Sequence, residues 1–146
     1  MRLERGFRWL AMLAVGLCVT TACAKPAPEP DLLSPSEEQM KLRTVQSRTF
    51  DVADRNQALR AVIAALQDLG FIIERANESL GLVTAARFAE PRYYDVMGIT
   101  VTVRPQQGGK MLIRANAIYN NEPVTDPVVY QNFFATLERS LFIGRN

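Results

Sequence analysis

The chain of 146 residues is long enough for one domain with its own core, and 48% apolar with 22% charged residues excludes a disordered polypeptide. It contains no histidine, which removes Ser-His-Asp and Cys-His catalysis, His-ligated zinc and imidazole acid–base work together. Of 17 basic and 15 acidic residues, Arg2, Arg5, Arg8 and Glu4 precede an apolar run; fourteen of each remain from Cys23 onward, so net charge does not point to nucleic acid.

Residues 1–8, MRLERGFR, are a short basic segment, and residues 9–22, WLAMLAVGLCVTTA, an apolar one. The apolar stretch falls short of the ~20 residues of a membrane-spanning helix and suits the core of an export signal. Small residues at 20–22 followed by Cys23 resemble a bacterial lipoprotein signal. That resemblance implies a signal peptide over 1–22, a lipid on Cys23 and cleavage that makes Cys23 the amino terminus. Thr20 stands where such signals most often carry leucine. Ala22-Cys23-Ala24 also satisfies the small-x-small rule of ordinary signal cleavage, which would release a soluble periplasmic protein beginning at Lys25. By the same resemblance, Ala24 after the cysteine implies sorting to the outer membrane, with the domain facing the periplasm. Cys18, Cys23 and Trp9 all fall in this segment, so the body has neither thiol nor disulfide.

AKPAPEPDLLSPS carries four of the eight prolines and no apolar periodicity, so residues 23–43 read as the acylated cysteine and an extended tether. One marginal helical turn at Ser34-Pro35-Ser36-Glu37-Glu38 is the expected exception. A single α+β domain is expected over 44–146. Its first strand is TVQSRTFDV, 44–52, with Phe50 and Val52 on one face. Asp54, with Gln57 as capping-box partner, starts a helix through Ala58, Leu59, Val62, Ile63, Ala65, Leu66 and Leu69 that stops at Gly70.

Phe71 begins a second strand, Asn77-Glu78-Ser79 turns, and Leu80 to Arg87 returns. FAEPRYYDVM, 88–97, reads as a loop. Gly98 to Arg104 alternates, with Ile99, Val101 and Val103 inward and Thr100, Thr102 and Arg104 outward. Gln106 to Gly109 turns, and Gly108-Gly109 is no phosphate loop because no helix start follows it. Met111, Ile113, Ala115, Ala117 and Tyr119 then alternate inward. After the loop YNNEPVT, Asp126-Pro127 opens a helix striped by Tyr130, Phe133, Phe134, Leu137 and Leu141.

The order β-α-β-β-β-β-α predicts an α+β fold: a two-layer sandwich, an antiparallel sheet with two helices on one face. Over roughly residues 44–143 this order resembles the helix-grip (TBP-like) domains of the lipoprotein subunit of the outer-membrane β-barrel assembly machine. ALQDLGF, 65–71, and FFATLERSLF, 133–142, are similar to segments of small envelope lipoproteins. The resemblance implies a non-enzymatic, protein-binding accessory module of an envelope assembly or transport machine.

Four side-chain groups are candidates for function. Arg92, Tyr93 and Tyr94 combine residue types enriched at binding hot spots. Thr100, Thr102, Arg104, Arg114 and Asn116 should share the outer sheet face and offer a docking surface for an envelope protein or a peptidoglycan strand. An open sheet edge could instead pair two copies of the domain. Tyr130, Phe133, Phe134 and Phe142 either fill the core or line a cavity for an acyl chain, which would make the chain a carrier of hydrophobic ligands. Glu90 and Asp95 flank PRYY and could be read as the paired carboxylates of a hydrolase that cleaves glycosides. No cofactor or metal site is expected, and the expected partners are a membrane, through the lipid, and an envelope protein.

Overall fold

A computed structural model describes residues 34–89 and 94–144. Ser36 starts helix α1 (Glu37–Val45) with a capping box: its hydroxyl accepts from the Gln39 N–H at 3.2 Å, and the Gln39 side chain accepts from the Ser36 N–H. This helix occupies part of the expected tether, and the compact unit begins at Pro35 and not at residue 44. None of its residues is buried; Leu42 and Val45 are half-buried against the core.

Strand β1 (Ser47–Phe50) leads to α2 (Arg55–Asp68). Phe50 and Val52 are both buried, as the alternation predicts. Asp54 caps α2 by accepting from the Asn56 N–H at 2.8 Å. Gln57 does not close a capping box; its amide reaches across to the Gly144 carbonyl at 3.3 Å. At the other end Gly70, with φ +79°, lets the Phe71 N–H return to the Leu66 carbonyl at 2.9 Å, a Schellman-type stop.

Four strands follow in a meander, β2 (Ile72–Asn77), β3 (Leu82–Phe88), β4 (Val96–Gln106) and β5 (Lys110–Tyr119). The two-residue strand β6 (Glu122–Pro123) and helix α3 (Pro127–Ile143) complete the described fold. All pairings are antiparallel; the sheet order is β1-β5-β4-β3-β2, with β6 also on β5. The described fold is therefore the expected two-layer α+β sandwich, enlarged by α1 and β6.

Val83, Ala85, Ile99, Val101, Val103, Ile113 and Ala115 point inward against α2 and α3. Tyr130, Phe133, Phe134, Leu137 and Leu141 form the buried stripe of α3, and Phe134 packs against Phe50 and Phe133 with ring centroids 6.2 and 5.1 Å apart. Phe142 departs from the expected cavity lining and is 70% exposed: one residue past Leu141 turns it ~100° away from the core.

Strand β6 lay hidden in the expected YNNEPVT loop. Asn120 and Asn121 both adopt left-handed φ (+47° and +68°), the two-residue turn that matches strand twist, and Asn tolerates this conformation. Tyr119, expected inward, stands at the strand end beside that turn; its ring is partly exposed and its hydroxyl bonds Asp95.

Candidate functional site

On the side of the sheet away from α2 and α3, the register sets side chains in cross-strand rows. One row runs Arg75, Thr84, Thr100, Asn116; the next runs Asn77, Leu82, Thr102, Arg114, Ser47; a third holds Arg104, Leu112 and Thr49. The expected outer-face set of Thr100, Thr102, Arg104, Arg114 and Asn116 thus does come together. With Ser47, Leu112 and, from α1, Arg43, these residues line one concavity of about 440 Å³. Its lining holds three arginines, two threonines, a serine and an asparagine, and none of its lining residues is a carboxylate. The ion pairs found among the described residues, Arg48 with Glu138 and Arg60 with Asp54, involve none of these arginines.

A buried glutamine builds this surface. Gln46, 3% exposed, follows α1 and precedes β1. Its carbonyl accepts from the Ala115 N–H at 2.9 Å. Its side-chain amide donates to Asn116 Oδ1 at 3.3 Å and to Tyr130 Oη at 3.1 Å, and its Oε1 accepts from Arg114 Nη2 at 3.4 Å. The Tyr130 hydroxyl in turn donates to the Val124 carbonyl at 2.7 Å and accepts from the Ala117 N–H at 3.4 Å. The stretch of β5 edge between β1 and β6 is therefore covered by Gln46 and Tyr130. The same clasp holds α1 over the strand, which delivers Arg43 to the cleft, and it reaches Arg114 at the cleft wall. A smaller recess of about 220 Å³ under α1 shares Arg43, Arg114 and Asn116, so the polar groove continues past the helix.

Arg43 and Gln46 were not among the expected site residues. Arg43 becomes visible only once α1 is a helix, and Gln46, expected inside a strand over 44–52, is instead the residue between α1 and a strand that starts at Ser47. Of the remaining candidates, Tyr94 is 93% exposed and does not line the cleft. Cys23, Arg92, Tyr93 and Glu90 lie outside the described residues. Asp95 serves the loop: its side chain accepts from the Tyr119 hydroxyl and from Asn120 Nδ2 at 2.8 Å, and its carbonyl accepts from the Ala89 N–H at 2.8 Å. Among the described residues no group of three potential metal ligands converges, and no helix is long and apolar enough to cross a membrane.

No family model matches the chain, and no curated protein matches it. Among solved structures it is similar to the adenylate sensor from AMP-activated protein kinase, in complex with 5-aminoimidazole-4-carboxamide ribofuranotide (ZMP). That similarity has 14% identity and a TM-score of 0.48, and covers 65% of this chain and 94% of the other.

Proposed function

We propose that the chain is a non-enzymatic lipoprotein of a bacterial outer membrane, held at the periplasmic side by acylated Cys23, that serves an envelope assembly or transport machine by binding an acidic protein partner on its outer sheet face. The observation that carries the binding reading is the cleft of Arg43, Arg104 and Arg114 without a lining carboxylate. The exported body is charge-neutral, so this is a local concentration of positive charge and not a general basicity. Guanidinium forks bind carboxylates with paired N–H donors, and the threonines and Asn116 add neutral donors and acceptors beside them. Attachment by a tether raises the local concentration of the domain near membrane-bound partners, so a cleft of modest affinity is sufficient.

The test is crosslinked affinity capture with the full-length acylated protein, repeated with Arg104→Glu/Arg114→Glu. Partners retained by the native chain and lost by the charge-reversed one belong to the cleft, and their retention should fall as salt rises. Mass spectrometry of the amino-terminal peptide tests the anchor separately. An unmodified chain starting at Lys25 refutes the anchor, and an unchanged partner set in the charge-reversed variant refutes the cleft.

A further inference from the structure

The opposite layer contains a second opening, independent of the cleft. The end of α2, the start of α3 and the inner face of the sheet enclose a slot of about 280 Å³ lined chiefly by Leu69, Phe71, Met97, Ile99, Tyr130 and Phe133. Five of these, all but Leu69, are buried. Arg87 stands at the slot with its guanidinium over the Phe71 ring, 5.0 Å from the centroid. Nη1 donates to the Leu69 carbonyl at 3.2 Å and Nη2 contacts Met97 Sδ at 3.7 Å. Both partners are neutral, so among the described residues this exposed cation is positioned without a carboxylate partner. No ion pair of Arg87 is found among the described residues. Asn132 adds a second polar group to the lining.

We infer that this slot binds a small amphiphilic carboxylate, with an aliphatic tail among Met97, Ile99 and Phe133 and its carboxylate on Arg87. Charge complementarity selects an anion, and the apolar lining selects a hydrocarbon tail over an acetate-like ion. At ~30 Å³ per water-sized group the slot holds roughly nine non-hydrogen atoms, near the lower end of ligand pockets. That is the size of octanoate and well below a full membrane acyl chain. Of the aromatic set considered from the sequence, only Tyr130 and Phe133 line it; Phe134 packs on Phe50, and Phe142 faces solvent.

Methionine methyl NMR on the full chain tests the assignment, because Met97 lines the slot, Met111 is in the core elsewhere, and Met40 is half-exposed on α1. Octanoate should shift the Met97 methyl saturably while Met40 and Met111 stay in place. Octanol, with the tail but no charge, should bind about tenfold more weakly or worse, and acetate should leave Met97 unmoved. Arg87→Gln should abolish the preference for octanoate over octanol. Should that variant fail to fold, the octanoate–octanol comparison on the native chain decides alone. Equal shifts with octanoate and octanol, simultaneous shifts of all three methyls, or no shift at Met97 would each overturn the inference.

Discussion

Replacing Gln46 with methionine tests the clasp that builds the outer-face cleft, since the side chain keeps its length and loses only its amide. Three hydrogen bonds disappear, but they are unequal. The bond to Tyr130 at 3.1 Å is buried; those to Asn116 and Arg114, at 3.3 and 3.4 Å, are longer and involve exposed residues that can turn to water. Tyr130 is not left unpaired, because its hydroxyl keeps the Val124 carbonyl and the Ala117 N–H. The loss is therefore one buried hydrogen bond of ~1 kcal/mol plus a few tenths, partly offset by the apolar methionine tail, or about 1 kcal/mol net. Urea unfolding should show a midpoint lower by roughly 0.5–1 M with an unchanged slope. The local effect should be larger in kind, because α1 has no buried residue and relies on Leu42, Val45 and Gln46 for attachment. Tryptic cleavage after Lys41 or Arg43 should accelerate several-fold as α1 opens without global unfolding. An unmoved midpoint together with unmoved cleavage would refute the claim that Gln46 holds the helix to the sheet.

Tyr130→Phe should cost more than Gln46→Met, ~2 kcal/mol by denaturation, because it removes a partner from the Val124 carbonyl, the Ala117 N–H and the Gln46 amide at once. Gly81→Ala and Gly70→Ala form a matched pair at positive φ. A Cβ at Gly81 would come 2.3 Å from the Val103 carbonyl oxygen, whereas one at Gly70 meets nothing within 4 Å. Thermal unfolding should show ~1 kcal/mol lost at Gly70 from conformation alone and ~3 kcal/mol or more at Gly81, where the β2–β3 turn must move off the β4 backbone. Asp126→Ala should cost ~1 kcal/mol as a lost cap of α3 and leave binding at the cleft unchanged in a crosslinking assay.

The parts of the fold legible in the sequence are those where one face is buried along its whole length. Ile99, Val101 and Val103 on β4, and Met111, Ile113, Ala115 and Ala117 on β5, alternate because helices cover one side and solvent the other. The same alternation places Thr100, Thr102, Arg104 and Arg114 on a common face from the sequence alone. Helix α1 was not legible as a full helix: its capping box is a local signal, but only Leu42 and Val45 touch the core, too few for a periodic stripe. Strand β6 is two residues long and carries no pattern at all. Gln46 escaped for a different reason. Its role depends on Tyr130, Asn116 and Arg114, 68 to 84 residues away in the chain, and no local propensity encodes such a meeting. At Phe142 an apolar pair, Leu141-Phe142, left the helical phase open, and packing decided it.

The β2 edge is where two copies of the domain would pair instead of meeting a partner face-on. Here the strand carries a guard. The register with β3 slips between Ile73 and Arg75, so Glu74 is an extra residue with no partner position. Such a bulge twists an edge and breaks its row of outward N–H and C=O groups, and it brings two charged residues, Glu74 and Arg75, to the place where a second strand would dock. Deleting Glu74 should restore an unbroken pairing of Ile72 through Asn77 with Ala86 through Leu82. No side chain should change face, since Arg75 already opposes Thr84 and Ala76 opposes Val83. The deletion variant should therefore fold like the native chain and, in sedimentation over a range of concentrations in one detergent, self-associate where the native chain stays monomeric. Identical sedimentation of the two would show that the bulge does not protect the edge, and a native dimer would move the binding surface from the arginine cleft to β2.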